Sequence, residues 1–358
     1  MSKVKQLFDK AGGWKTIFNY AKAGVLPYMV AQILLTGKSI TALELMRNGI
    51  QLKIKQKLWK RYIRVLKDFD ENYCKEKYPM QKSNKVWVCW MQGMDQAPAL
   101  VQRCYHSLQE NLKDKEIILL TEKNLDLYVK IPDFIMDKLH KGIITRTHFS
   151  DILRLELLIQ QGGTWIDATV FCSGDDIPKY MMEDEFFIFQ KVKPGSDGSA
   201  INMSSWFMSA WSNQKFLLAT RELLYAYWQK NDHMINYFLL HLFMMIVKDY
   251  YIEEWKQIIP YPNSLPHVLQ LMLFEQFDQR RWDAACKASP FHKLTYKVKE
   301  EDTSKVGTYY KYFESYLVIA VIYFVLCFVF NRLFLLMEKK MAGKKDYVLA
   351  IEYMEGTQ

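Results

Sequence analysis

The stretch that most constrains this chain runs from Arg146 to Phe171, RTHFSDILRLELLIQQGGTWIDATVF. Phe149, Ile152, Leu153, Leu155, Leu157, Leu158 and Ile159 make its first part apolar on nearly every side, the pattern of a buried helix. Thr147 or Ser150 can cap its first turn, and Gly162 and Gly163 stop it. TWIDATVF then reads as one buried strand. Its period of two places Trp165, Asp167, Thr169 and Phe171 on one face. Asp151 and Arg154 are three residues apart and share a helix face. Charges on a buried helix need partners, and an aspartate inside an apolar strand is costly unless paired or ligating. Two readings stay open: an Asp151–Arg154 ion pair with Asp167 capping a turn, or a functional site built on the three.

The sequence before this stretch has the rhythm of an α/β unit. Val86–Trp90 reads as a strand, Ala99–Asn111 as a helix and Glu116–Leu120 as a second strand, which implies a βαβ unit and a parallel sheet. Ligands of such sheets bind beyond the carboxyl ends of the strands. Trp90, Gln92 and Gly93 fall there, followed more weakly by Thr121 and Glu122. Trp90 is either a stacking platform or a core tryptophan. Downstream, Phe186–Phe189 and Ser204–Ala210 read as strands. Between them KVKPGSDGSAIN is a polar loop, suited to a lid, an acceptor site or a solvated connection. Residues 214–255 read as helical, and His233 and His241 within them as satisfied core histidines.

Charge is unevenly spread. The chain carries +9 in all, yet residues 1–84 hold 17 Lys and Arg against 6 Asp and Glu. The basic excess therefore lies in an N-terminal helical segment, residues 1–83. Within it Gln51–Phe69 interleaves Leu58, Trp59, Tyr62 and Leu66 with Lys53, Lys57, Lys60 and Arg64. This suits an anionic membrane surface, or a helix packed on the rest with a solvated basic face. No nucleic-acid motif accompanies the charge. The apolar run Gly24–Leu35 is too short to span a bilayer. At the other end, within residues 313–358, Leu317–Phe330 is apolar throughout, and Asn331 and Arg332 interrupt it before LFLLM. A buried arginine is expensive in lipid, and lysines follow, so an interfacial or re-entrant hydrophobic helix is expected. The six cysteines show no metal or disulfide spacing, which fits reduced core thiols in the cytosol. No signal peptide is visible in MSKVKQLFDKAGG.

Ser150, Asp151, Arg154, Gly162, Gly163 and Asp167 match an S-D-x-x-R helix followed by G-G-x-x-x-D-x-D. The chain in this respect resembles the capsular polysaccharide synthesis protein family. Its members are DXD-type glycosyltransferases related to yeast-type α-mannosyltransferases and clostridial toxin glucosyltransferases. The resemblance covers roughly residues 84–296. It implies an α/β, GT-A-like nucleotide-sugar-binding domain over residues 84–312 with a mostly parallel sheet, flanked by the N-terminal helices and the C-terminal hydrophobic helix. By resemblance Asp151 and Arg154 grip hydroxyls of the donor sugar, Trp90, Gln92 and Gly93 meet the nucleotide, and Asp167 holds a divalent cation, manganese or magnesium. A late histidine and lysine of the family, matched loosely by His292 with Lys293 or Lys297, imply a further metal ligand and a diphosphate contact. His267 is the rival histidine. The chain departs from the pattern at Thr169, which stands in the metal-binding position of the second acidic residue, so the implied metal site is weaker, completed from elsewhere or absent. Asp175 and Asp176 could compensate, though SGDD also reads as a turn. The implied reaction is retaining transfer of a hexose from a nucleotide-diphosphate sugar to a glycan or polyprenyl-linked acceptor at the cytoplasmic face of the cell membrane.

Two other classes compete with this expectation. Thr169 favours a non-catalytic, membrane-associated scaffold of a polysaccharide assembly complex. A phosphotransferase or hydrolase would need a phosphate-cradling glycine loop or paired catalytic carboxylates, and neither is found.

Overall fold

The computed structural model describes residues 13–37, 39–192, 199–297, 308–311, 326 and 328–334. Half of the polar loop read as a lid, an acceptor site or a solvated connection, residues 193–198, lies outside these. The chain divides into one unit of residues 1–272 and 278–297, and a second of residues 273–277 and 298–358.

The first unit begins with three helices, α1 (Gly13–Ala23), α2 (Leu26–Thr36) and α3 (Ile40–Asn72). Ser39 caps α3 by accepting from Ala42 N, and the helix then runs 33 residues. Its apolar positions recur at helical spacing, so Ile50, Ile54, Leu58, Tyr62 and Leu66 form one stripe, and all five are buried. Each aliphatic side chain so buried contributes roughly 1.5–3 kcal/mol. The basic residues Lys53, Lys57, Lys60, Arg61 and Arg64 stay exposed. The apolar face expected at a membrane is therefore spent on the protein's own core, and α3 presents a solvated basic face instead.

Strand β1 (Lys85–Cys89), helix α4 (Ala99–Asn111) and strand β2 (Glu116–Leu120) form the expected βαβ unit, followed by α5 (Asp133–His140) and α6 (Arg146–Gln161). Next come β3 (Gly163–Ile166), β4 (Val170–Cys172), β5 (Phe186–Gln190) and β6 (Met203–Ala210), then α7 (Lys215–Lys230) and α8 (Leu239–Tyr250). The unit finishes with β7 (Tyr261–Pro262), α9 (Gln279–Ala288) and β8 (Phe291–Lys293). The main sheet has the order β2-β1-β3-β6-β5-β7. It is mostly parallel: β1 runs parallel to β2 and β3, and β5 to β7, while β6 is antiparallel to both its neighbours. Tyr62 of α3 meets Tyr227 of α7 at 6.0 Å and Phe243 of α8 at 5.7 Å between ring centroids. The N-terminal helix is thus fastened to the same core as the sheet.

Helix α6 is capped by Thr145, whose hydroxyl accepts from His148 N at 3.2 Å, two residues before the first cap candidate in the sequence. The glycines that end it are forced. Gly162 and Gly163 have φ of +66° and +96°, a region that costs other residues. A Cβ on Gly163 would lie 2.3 Å from the Lys85 carbonyl oxygen. Only glycine lets β3 enter beside β1.

The expected single strand Trp165–Phe171 is broken. Strand β3 ends at Ile166, and Asp167 turns the chain: its N–H donates to Trp206 O at 2.8 Å and its carbonyl accepts from Val170 N at 3.0 Å. Strand β4 then leaves the main sheet and pairs antiparallel with β8, Val170 opposite Lys293 and Phe171 opposite His292. A carboxylate cannot continue a fully buried strand without partners, and the corner supplies them.

In the second unit, Tyr310 N donates to Leu273 O at 2.8 Å and Phe277 packs on Tyr309 with ring centroids 5.0 Å apart. Of the C-terminal hydrophobic stretch, Leu326 and residues 328–334 are described as helical, with Phe328, Phe330 and Phe334 exposed. Among the described residues no helix is long and apolar enough to cross a membrane. The long C-terminal hydrophobic helix is not supported beyond this short piece, and the rest of it lies outside the described residues.

Candidate functional site

Asp167 stands at the carboxyl end of β3, next to the ends of β1 and β2, where α/β sheets bind ligands. A cleft of about 1380 Å³ opens there. Trp90, Gln92, Glu122, Arg154, Asp167, Thr169, Lys293 and Lys297 line it, with Tyr237 and His267. Of the nucleotide-side candidates, Trp90 is half-buried, packs edge-on against Tyr296 at 5.6 Å, and has a buried indole N–H without a protein partner. Gly93 is not among the lining residues. Its N–H closes a turn onto Trp90 O at 2.9 Å with φ +86°, so it shapes the loop that carries Trp90 and Gln92.

The charges meet on one side of the cleft. Arg154 is its hub. Its Nη1 donates to the Ser205 carbonyl oxygen at 2.7 Å and to the Ser205 hydroxyl. Its Nη2 lies 3.4 Å from Asp151 Oδ1 and 3.7 Å from Asp167 Oδ1. The ion pair read from the sequence is present, Asp151 with Arg154, and the pair reaches the cleft at Asp167. His148, one helical turn before Asp151, completes the group. Trp228 Nε1 donates to His148 Nε2 at 3.1 Å, so in the neutral ring the proton sits on Nδ1, 3.4 Å from Asp151 Oδ2. Burial alone would raise both carboxyl groups. Arg154 and His148 more than offset it at Asp151, and Lys293 and Arg154 do so at Asp167, so both are held below the usual carboxylate range. His148 was missed in the sequence, although its i, i+3 spacing to Asp151 was there to be seen.

Lys293 arrives from β8. Its Nζ donates to Asp167 Oδ2 at 2.9 Å and to Thr169 Oγ1 at 2.6 Å. His292, its neighbour on the strand, points the other way. That ring is fully buried, with Nε2 3.0 Å from Ser173 Oγ, so it does not join Asp167 as a metal ligand. His267 does line the cleft, with Nδ1 2.7 Å from Asn263 O. Asp175 and Asp176 are exposed beyond β4 and outside the cleft, which leaves SGDD an ordinary turn. Cys89 lines the cleft as well, but burial pushes its thiol up to about 12, so it offers no thiolate nucleophile near neutral pH.

The expected divalent cation finds a poor fit in this donor set. Among the described residues no group of three His, Cys, Asp or Glu could hold a metal ion. Asp167 Oδ2 is bonded to Lys293, and Oδ1 accepts from Trp165 Nε1 at 3.0 Å. An ammonium held on the same carboxylate repels a divalent ion that would bind there.

A second chamber of about 340 Å³ adjoins the first. Thr147, Arg154, Asp167 and Tyr237 line both. Its far side comes from α3, through Glu44, Arg47, Asn48 and Gln51. These residues carry no sequence signal of their own, since only tertiary packing brings residue 48 to residue 167.

Fold and site together define an α/β protein with a charged cleft beyond its parallel strands and an aspartate at the corner where the sheet divides. The model of the capsular polysaccharide synthesis protein family matches residues 41–313, and the chain belongs to that family. No curated protein matches it. Among solved structures it is similar to one named PaToxG Glycosyltransferase, at 14% identity and a TM-score of 0.34, with 73% of this chain and 97% of that one covered. A likeness that distant carries no argument about mechanism.

Proposed function

We propose that the protein is a glycosyltransferase of surface polysaccharide synthesis that transfers a hexose from a nucleotide-diphosphate sugar. Family membership supports the reaction class. The observation that carries the reading is the pair of chambers joined at Arg154 and Asp167. A two-substrate transfer needs a donor and an acceptor to meet at one bond, with the ends of both held in place. The larger chamber, with Trp90 at its edge and Lys293 and Lys297 on its wall, suits a nucleotide base and diphosphate. The smaller one, lined by Glu44, Arg47, Asn48 and Lys191, suits the hydroxyls of a glycan acceptor. Arg154 at the junction and Asp151 beside it on the wall of the smaller chamber bind the donor sugar, and retention of the anomeric configuration follows the family pattern.

The acceptor we favour is polyprenyl-linked, with the protein seated on the cytoplasmic face of an anionic membrane. Leu34, Leu35 and Ile40 are more than three-quarters exposed in the most basic part of the chain. Apolar side chains beside excess positive charge are what such a surface attracts.

The test is a donor screen on the full chain, measuring hydrolysis and transfer from UDP- and GDP-hexoses with and without a polyprenyl-phosphate sugar. Turnover of one donor, cut at least 100-fold by Asp167→Asn, is expected. No turnover of any donor by the folded protein overturns the proposal in favour of a non-catalytic scaffold.

A further inference from the structure

Lys293 sits where the family pattern puts a cation. Its Nζ bridges Asp167 Oδ2 at 2.9 Å and Thr169 Oγ1 at 2.6 Å, the two positions of the D-x-D signature, the second of them neutral in this chain. An ammonium has three N–H donors. Two are used here, and the side chain keeps 21% exposure on the cleft wall. The strand pairing fixes it in place, since Val170 lies opposite Lys293 in the β4–β8 ladder. The sequence change and the geometry agree: Thr169 replaces a carboxylate that would have had to share its charge with a lysine.

We propose that the Lys293 ammonium takes the place of the divalent cation. Held by Asp167 and Thr169, it presents its third N–H to the donor diphosphate, so that nucleotide binding requires no metal. This rests on the reading of the larger chamber as a nucleotide-diphosphate site. A fixed ammonium neutralises charge as it develops on the leaving diphosphate oxygen, as preorganised cations do elsewhere. It also gives Asp167 a role beside a neutral Thr169: the carboxylate aims the lysine. Lys293 is lysine and not arginine because a compact point charge is what a single carboxylate and a single hydroxyl can hold.

Calorimetry on the full chain tests this, with UDP, GDP, ADP and dTDP as probes, in EDTA and in manganese. One diphosphate should bind equally well in both, within about threefold. Manganese alone should show no tight site by electron paramagnetic resonance. Lys293→Met should weaken the diphosphate at least tenfold, and Lys293→Arg by less. The double variant Thr169→Asp/Lys293→Met should regain binding only when manganese is present. Binding by the wild type that demands manganese overturns the lysine assignment and leaves the nucleotide site standing. Binding of none of the four in either condition overturns both. Circular dichroism separates lost binding from lost folding, and the chelator comparison needs no variant.

Discussion

Burial pushes the His292 imidazole down to about 4, and the ring is wholly enclosed behind β8. The unfolded chain protonates such a group near 6.5. A folded-state value below the unfolded one means the unfolded state binds more protons, so stability rises with pH. The contribution is complete above 6.5 and is lost as pH falls toward 4, about 3 kcal/mol in all. His292→Asn should flatten that stretch of the stability profile, measured by urea unfolding at pH 7, 5.5 and 4.5, and an unchanged slope would refute the assignment. Asp151 and Asp167, held low by Arg154 and Lys293, act in the same direction but at lower pH. Their share is present above the ordinary carboxyl range and is lost only as pH falls below it, toward the lowered folded-state values. Arg154 stabilises both carboxylates while itself bonded to Ser205, so one charge ties the helix to the corner of the sheet.

At the scale of elements, the helix α6, the two glycines and β3 act as one part. The helix delivers Asp151 and Arg154, the glycines turn the chain in the space of two residues, and β3 leads into Asp167. Gly163→Ala puts a Cβ 2.3 Å from a backbone oxygen of β1 at a φ of +96°. A clash with backbone at a strained φ should destabilise the domain by about 3 kcal/mol or more. A melting temperature within a degree of the wild type would show that β1 can move aside. Helix α3 acts at two levels. Its apolar stripe packs on α7 and α8, and its first turns give Glu44, Arg47 and Asn48 to the smaller chamber. A helix that reads in the sequence as a basic appendage is a wall of the site.

At the scale of the molecule, the net positive charge concentrates in the N-terminal helices, which also expose apolar side chains. Leu34 and Leu35 are 80% and 82% exposed on α2, and no residue of that helix is buried. Leu34→Glu/Leu35→Glu should reduce sedimentation with phosphatidylglycerol vesicles about tenfold, since it removes apolar area and adds repulsion from the anionic lipid. Unchanged sedimentation would place membrane contact elsewhere or nowhere. The variant touches no core residue, so its melting temperature should stay within a few degrees.

The amino-acid sequence determined the local parts by itself. Helix α6 and strand β2 were legible because apolar periodicity and glycine stops act within a few residues. That Asp151, Arg154 and Asp167 have charged partners was legible because charges in apolar surroundings are rare without them. The family was legible because its signature lies within one stretch of chain. Only the tertiary structure decided what those residues touch. The break after Ile166 depends on Trp206 accepting from Asp167, 39 residues away in sequence. The seat of Lys293 depends on β8 pairing with β4, and the turning away of His292 on the two-residue alternation within that ladder. The second chamber depends on a helix from the start of the chain reaching the corner of the sheet. Periodicity records which face of an element is buried, but not which distant segment buries it, and the chemistry of this site lies between distant segments.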